Sequence, residues 1–308
     1  MSPKHTIYCL GEVLLALDAD APLAHAESFR PRLGGDAAVL AQACTAQGGC
    51  ASLLAQLGED PFGHRAASTL TAAGVDTTHA SFSRTLPTAL LFEAGGEALS
   101  YRVRTAGLQF APEQLEPGLF QPGDALLFAS SGLCDSPLRY THLAALTAAR
   151  DAGALACFAP CLEPALWPQP EGEAALREVT RQLLPRADIV LLTTEELEFL
   201  FGTAEMRVAL FPLLRGHTQL VLLARAEGIH AFTRTNHAFW PGLSLPAPRL
   251  AAKALCCLLQ KTARRKNYPA SPPGSYKRSY KKRTKPPPTG GGFASQGFQS
   301  GEDCGLFG

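Results

Sequence analysis

The chain has 308 residues, of which 46% are apolar and 18% are charged, and its formal net charge is +1. A chain of this length and composition can bury one sizeable core, or one core with a small appendage. The apolar stretch Thr6–Leu10 is too brief for a signal peptide, and no other apolar run approaches the roughly 18 residues of a membrane span. We therefore expect a globular, cytoplasmic protein with no membrane partner.

The first 260 residues alternate between short apolar segments, typical of strands covered on both faces, and longer segments typical of helices. In chain order these are strand 6–10, helix 37–47, strand 51–56, helix 63–73, strand 125–130, helix 138–151, strand 155–159, helix 174–186, strand 189–192, helices 195–201 and 208–215, and strand 220–224. Because parallel neighbours require a crossover connection, this alternation predicts an α/β fold with a mainly parallel, helix-covered sheet.

One pair of segments does not follow that alternation. Residues 88–93 and 100–104 flank a turn at Gly95-Gly96 and predict a β-hairpin. We interpret the hairpin as part of a small additional sheet or lid.

The composition changes after Pro246. Residues 251–260 predict one helix, whereas residues 261–308 contain six prolines, eight glycines and ten basic residues against two acidic ones, a net charge of +8. Residues 1–260 carry 18 basic and 25 acidic side chains, a net charge of −7. We predict a domain over 1–260 followed by a disordered basic tail over 261–308. Basic tails can attract nucleic acid, but without a fold signature for that role we expect a solvated tail.

Leu33-Gly34-Gly35-Asp36 precedes the first predicted helix. Glycines allow a ligand to approach the backbone closely, and a helix N-terminus offers free N–H groups. Gly34, Gly35 and Asp36 are therefore candidate substrate-binding residues. A simple turn, with Asp36 as the N-cap of the helix, is the alternative interpretation.

Three further motifs follow in order: Gln56-Leu57-Gly58-Glu59-Asp60-Pro61-Phe62-Gly63, Ala73-Gly74-Val75-Asp76-Thr77 and Pro87-Thr88-Ala89. Their order and spacing resemble the N-terminal half of ribokinase-like (PfkB) sugar kinases, in which G-G-x-x-x-N-x-A is followed by G-x-D-x-F-G, G-V-D-T and P-T-A. The resemblance continues through Tyr101-Arg102, Phe158 to Trp167 and Glu196-Leu197, and it fades near Pro246.

Within that superfamily, the Gly-Gly-Asp and Tyr-Arg segments look most like those of 2-keto-3-deoxygluconate kinases, with fructokinases next. The resemblance implies a doubly wound sheet with a lid from about residues 12–33 and 86–105, and ATP- and Mg²⁺-dependent phosphorylation of a sugar or sugar-acid hydroxyl. It also implies that Arg102 on the lid contacts the substrate. The alternative is that Arg102 lies on an exposed strand face and has no role in the site. Relatives dimerise through lid strands, so a homodimer of that kind is an implied partner.

The sequence departs from the family pattern at most polar positions. The usual sugar-binding Asp and Asn fall at Ala16 and Val39, and F-D-P-N-x-R-P is replaced by Phe158-Ala159-Pro160-Cys161-Leu162-Glu163-Pro164. The N-x-x-E magnesium motif survives only as Thr193-Thr194-Glu195-Glu196. This leaves Glu196 as a vestigial metal candidate, and the same four residues also fit a capping box.

The D-T-x-G-A-G-D segment expected shortly after Pro241-Gly242 is absent. The family's catalytic Asp and anion-hole glycines are lost with it, so we assign no catalytic residue and expect the C-terminal part of the domain to be incomplete, with an apolar face left exposed. Loss of a general base alone commonly costs about a hundred- to ten-thousandfold in rate.

Three hypotheses remain open. The first is a PfkB-type carbohydrate kinase with impaired activity, and the second is a catalytically inactive kinase-like protein that binds a sugar or a partner protein. The third is a shifted reading frame after about residue 247, which would explain the abrupt change in composition but not the substitutions upstream.

Overall fold

The computed structural model describes residues 5–167, 172–242 and 246–266. Its strands are β1 Thr6–Leu10, β2 Leu14–Asp18, β3 Arg30–Gly34, β4 Cys50–Leu54, β5 Gln56–Gly58, β6 Ser81–Ser83, β7 Ala89–Ala94, β8 Glu97–Tyr101, β9 Ala125–Phe128, β10 Leu155–Phe158, β11 Ile189–Thr193, β12 Leu220–Arg225, β13 Gly228–Phe232 and β14 His237–Pro241. Its helices are α1 Asp36–Ala46, α2 Pro61–Ala72, α3 Pro137–Asp151, α4 Gly172–Leu183, α5 Thr194–Phe201, α6 Met206–Arg215 and α7 Ala247–Lys266. None of these helices is long and apolar enough to cross a membrane.

The centre of the molecule is an eight-stranded sheet with the order β14-β13-β12-β11-β10-β9-β1-β4. From β4 to β12 every neighbouring pair is parallel, whereas β13 and β14 add antiparallel strands at one edge. Strand β1 has β4 on one side and β9 on the other, so the chain winds outward from β1 in both directions. This confirms the predicted α/β class with a doubly wound, mainly parallel sheet.

Helices cover both faces of this sheet and create two cores. Helices α1, α2 and α7 pack on one face, with Leu40, Leu70 and Leu255 fully buried there. Helices α3 to α6 pack on the other face, where Leu146 and Leu210 are buried. Burying a leucine side chain contributes about 1.5–3 kcal/mol, so both layers stabilise the sheet between them.

The predicted lid is a separate four-stranded sheet with the order β3-β2-β7-β8. Strand β2 pairs antiparallel with β3 and parallel with β7, and the β7–β8 hairpin turns at Gly95 and Gly96, which have φ angles of +56° and +94°. Positive φ angles favour glycine, which explains why the sequence marks this turn so clearly.

Six strands have no counterpart among the predicted strand segments: β2 and β3, which fall inside the predicted lid, and β5, β6, β13 and β14. Strand β6 has only three residues and pairs with the short β5, and the His237–Pro241 strand at the sheet edge is largely exposed. β5, β6 and β14 lack the continuous apolar run that identifies a buried parallel strand, and His230 interrupts such a run in β13, so the sequence pattern does not reveal them.

The C-terminal helix corrects two expectations. Helix α7 begins at Ala247 rather than at residue 251 and continues to Lys266, so the first six residues of the segment expected to be disordered are helical. Residues 262–266 contain no Pro or Gly and are mostly good helix formers, which explains the continuation. Leu250, Leu255 and Leu259 of α7 are buried, so this helix covers the part of the apolar face next to α1. The remainder of the predicted tail, residues 267–308, lies outside the described residues.

Candidate functional site

The strand order places a candidate site at the carboxyl ends of β1 and β9. The order of winding reverses between these two strands, and in open α/β sheets ligands bind in the crevice outside such a switch point. Glu12 follows β1 and Ser131 follows β9, so both lie at this crevice. The lid strands β2 and β3 lie between Glu12 and Gly34 in the chain, so the lid begins and ends beside this crevice.

The Gly34-Gly35 pair joins the lid to helix α1. Gly35 has a φ of +90°, and a Cβ atom at this position would collide with the backbone of Glu12 and Val13. Only glycine combines that φ with so close an approach of two backbone segments. The pair therefore fixes how the lid meets α1, and both glycines line the cavity described below.

Asp36 is the first residue of α1, but it does not cap its own helix, because the N-cap is Gly35 and no side-chain cap is formed. Its Oδ2 instead accepts a hydrogen bond of 2.9 Å from the backbone N–H of Ser131. Burial raises the pKa of Asp36 to about 6. The contact ties the start of α1 to the loop after β9 and leaves Asp36 on the cavity wall.

Arg102 is buried behind the cavity and is absent from its lining. Its Nε and Nη2 atoms donate to Oε2 of Glu12 at 2.9 and 2.6 Å, and Nη2 also donates to the Ser131 carbonyl at 2.9 Å. Its Nη1 donates to the Leu166 carbonyl. The structure thus places this predicted substrate contact in an internal network that joins the lid, the end of β1 and the loop after β9.

A cavity of about 200 Å³ lies between the lid, α1 and the loop after β10. Sites for drug-sized ligands commonly measure roughly 300–1,000 Å³, so a cavity of this size suits a smaller molecule. It is lined by Leu14, Arg32, Gly34, Gly35, Asp36, Val39, Leu40, Leu91, Glu93, Cys161, Glu163, Leu166 and Pro248. Of the sequence-predicted site residues, the cavity brings together Gly34, Gly35 and Asp36, and it does not include Arg102 or Glu196.

The sequence did not single out Arg32 and Glu93 as site residues. Both are on lid strands, and the guanidinium of Arg32 pairs with the carboxylates of Asp18 and Glu93. The signal for Arg32 in the sequence is its place in the alternating segment Arg30-Pro31-Arg32-Leu33. This alternation predicts that Arg30 and Arg32 share one face of a strand, but it does not predict a binding role. Cys161, in the family's Asn position, has a φ of +48° and is therefore in a left-handed conformation that Asn tolerates better than Cys.

Glu196 forms the capping box of α5. Its Oε2 accepts from the Thr193 N–H at 2.8 Å, the Thr193 hydroxyl accepts from the Glu196 N–H at 3.1 Å, and Oε1 accepts from the Leu162 N–H at 3.2 Å. Burial raises the pKa of Glu196. Both carboxylate oxygens are thus engaged by the backbone, which does not fit a Mg²⁺ ligand. Within the described ranges no group of three or more His, Cys, Asp or Glu residues could hold a metal ion.

Helix α7 begins in the region where the family's D-T-x-G-A-G-D segment is expected. Its first turn contains Ala247, Pro248 and Arg249, and Pro248 lines the cavity. Proline has no N–H to donate and none of the three is a carboxylate, so this turn supplies neither a glycine anion hole nor a catalytic acid or base. These residues do not fit the triphosphate of ATP in the way that the family motif would.

The doubly wound sheet, the small β-sheet lid and the cavity between the lid and α1 define a lidded α/β protein. Residues 4–244 match the family model described as pfkB family carbohydrate kinase, and the chain belongs to that family. The expected PfkB membership is therefore confirmed.

Fructokinases are prominent among the similar proteins. Probable fructokinase-2 of Arabidopsis thaliana is 31% identical over 245 residues, which cover 76% of this chain and 73% of that protein. Fructokinase-1 of Zea mays is 31% identical over 255 residues, covering 79% and 77%. The crystal structure of fructokinase from Xylella fastidiosa has a TM-score of 0.73 at 29% identity and covers 84% of this chain and 83% of its own. A second structure of that enzyme, with bound ATP, has a TM-score of 0.70.

These relatives correct one expectation. The particular likeness to 2-keto-3-deoxygluconate kinases is not supported, because the similar proteins named above are fructokinases. The Gly-Gly-Asp and Tyr-Arg segments on which that likeness was based are too short to distinguish branches of one family.

Proposed function

We propose that this chain binds a monosaccharide in the cavity under the lid and phosphorylates it only weakly. The observation that carries the proposal is the enclosure of the cavity by the lid, by Gly34-Gly35-Asp36 and by the loop after β10. These are the segments whose sequence resembles sugar kinases. Fructose is the first candidate because the relatives that align with more than 70% of this chain include fructokinases.

Asp36 is the residue proposed to bind a sugar hydroxyl. It lies on the cavity wall, and its Oδ2 is already oriented by the Ser131 N–H. Gly34 and Gly35 allow the sugar to approach the backbone at the start of α1. Arg102 is proposed as a positioning residue, because its guanidinium holds the Leu166 carbonyl on the cavity wall and the carbonyl of Ser131, whose N–H orients Asp36.

The impairment is proposed from the residues that replace the family's catalytic groups. Ala247-Pro248-Arg249 offers no carboxylate to take the proton from a sugar hydroxyl, and Glu196 has both oxygens engaged. The family's reaction uses ATP and Mg²⁺. The weak phosphorylation that we propose would use the same two. We also propose that residues 1–260 with the continuation of α7 form the working domain and that the basic tail is dispensable for sugar binding.

A catalytically inactive protein that binds a sugar or a partner protein is the second candidate. Val39 favours it, because this apolar side chain lines the cavity where relatives of this type place a sugar-binding Asn. The two candidates share the cavity and differ only in whether ADP is released.

Calorimetry with fructose and with 2-keto-3-deoxygluconate, followed by coupled ADP release in Mg-ATP, tests both candidates. We expect measurable fructose binding, loss of binding in Asp36→Ala and tighter binding in Val39→Asn. ADP release should exceed background but stay far below that of an authentic fructokinase, and release at background level would favour the inactive candidate. Turnover comparable to an authentic fructokinase run in parallel would refute the impairment. Failure of both sugars to bind wild type and Val39→Asn alike would refute the sugar site.

A further inference from the structure

The charged groups around the cavity are unbalanced. Arg32, Asp36, Glu93 and Glu163 are the charged residues that line it, so one cation faces three carboxyl groups. The imbalance increases when the partners of Arg32 are considered, because its Nε donates to both oxygens of Asp18, at 3.1 and 2.9 Å.

Arg32, the one cation in the cavity lining, already forms ion pairs within the protein. Besides Asp18 on β2, Arg32 binds Glu93 on β7 through Nη2, so its guanidinium has two carboxylate partners on the lid. A guanidinium engaged in this way is poorly available for a carboxylate on a ligand. The cavity therefore lacks a free cation with which to bind a sugar acid.

Glu163 is a carboxylate of the cavity lining that Arg32 does not pair with. It forms no ion pair within the described ranges, and it lines the cavity together with Glu93. Partial burial, and then the charge of Glu93, raise the pKa of Glu163. Glu163 is an exposed residue of the cavity lining, and a carboxylate beside another carboxylate is stabilised by a cation that binds near both.

Taking the proposed sugar site as given, we propose that this cavity selects sugars bearing an ammonium group over neutral sugars, and neutral sugars over sugar acids, through Glu163 and Glu93. The ammonium group offers three hydrogen-bond donors and a positive charge to the two carboxylates. A sugar carboxylate would meet the same two groups with like charge and no free counter-ion. Glu163 and Glu93 thus set the class of ligand, while the lid and the Gly-Gly-Asp segment hold the sugar itself.

The experiment compares three probes of one size class by calorimetry near neutral pH: 1-amino-1-deoxyfructose, fructose and gluconate. We expect the amino sugar to bind about 2- to 5-fold more tightly than fructose, since a solvent-screened ion pair contributes up to about 1 kcal/mol. Gluconate should bind more weakly than fructose. Raising the salt concentration should narrow the difference between the amino sugar and fructose, because salt screens partly exposed charges.

Two variants separate this selectivity from sugar binding in general. Glu163→Gln keeps the shape of the side chain and should remove most of the difference in affinity between the amino sugar and fructose. Glu113→Gln removes one charge from an exposed surface position outside the cavity and should leave all three affinities as in wild type.

The outcomes distinguish the two proposals. Equal affinity for fructose and the amino sugar, or an amino-sugar preference that survives Glu163→Gln, overturns the charge selectivity and leaves the sugar site standing. Tighter binding of gluconate than of fructose also overturns it. If none of the three probes binds, the sugar site fails, and the selectivity fails with it.

Discussion

The guanidinium of Arg102 and the carboxylate of Glu12 form an ion pair in which Nη2 lies 2.6 Å from Oε2, with the two side chains 5% and 0% exposed. Ninety residues separate them in the sequence, and they join the end of β8 to the end of β1. Oε1 of Glu12 is buried and has no hydrogen-bond partner, so the charge of Glu12 is compensated through Oε2 by Arg102.

Removing one member of this pair should destabilise the fold strongly. Arg102→Ala leaves the Glu12 charge buried and unpaired, and we expect the free energy of unfolding to fall by about 3–5 kcal/mol. Urea denaturation measures the loss. Arg84→Ala, which breaks the exposed pair of Arg84 with Glu59, is the control and should cost less than about 1 kcal/mol. Similar losses in the two variants would contradict the internal role of Arg102.

Gly35 should tolerate substitution less well than a glycine in open space. Gly35→Ala adds a methyl group against the Glu12 backbone at a φ of +90°, and strain of this kind costs about 1–3 kcal/mol before any clash is counted. Gly74 also has a positive φ, +82°, but a Cβ there would meet no atom within 4 Å. Thermal unfolding should therefore show a lower Tm for Gly35→Ala than for Gly74→Ala, and equal values would refute the close approach.

The ionisation of Asp36 should make stability depend on pH. Burial raises its pKa in the folded state from 3.8 to about 6, so the folded protein holds this proton more tightly than the unfolded chain. The stability it contributes is fully present below the unfolded pKa and is lost as the pH rises through about 6.

Asp36→Asn lacks this titration. Between about pH 4 and about pH 7 the variant should therefore gain about 2 kcal/mol of stability relative to wild type, because one pKa unit corresponds to about 1.4 kcal/mol. Urea denaturation of both proteins at several pH values measures the difference. A constant difference across this range would show that the Asp36 pKa is not raised.

Helix α7 should stabilise the domain through its apolar face. Leu255 is fully buried among the residues that pack on α1, and Leu255→Ala should lower the free energy of unfolding by about 2–4 kcal/mol. Lys253→Ala, on a half-buried position of the same helix, should change it by less than about 0.5 kcal/mol. If both variants unfold like wild type, α7 is not part of the core.

Cys161 offers a stabilising substitution. Its φ of +48° costs a Cys side chain about 1–2 kcal/mol, and Asn tolerates this conformation better. We expect Cys161→Asn to raise the free energy of unfolding by about 0.5–1 kcal/mol, a part of that cost. Cys161→Ala at the same position relieves no backbone strain and should not be stabilising. Denaturation midpoints compare the three proteins, and a gain in the Ala variant would attribute the effect to loss of the thiol instead.

The sequence by itself determined the α/β class, the doubly wound sheet, the lid hairpin and the family. These follow from local signals: apolar runs of strand length, positive-φ glycines at turns, and motifs whose order is preserved along the chain. It also showed which polar groups of the family are missing, because a substitution at a motif position is visible without any structure.

Only the tertiary structure decided which side chains meet. The pairing of Arg102 with Glu12, the contact of Asp36 with Ser131, and the convergence of Arg32, Glu93 and Glu163 on one cavity each join segments far apart in the chain. Periodicity reports on a residue's own neighbours, whereas these contacts depend on strand order and on how the lid folds back over the sheet. For that reason Arg102 could be recognised from its motif, but its place behind the cavity could not.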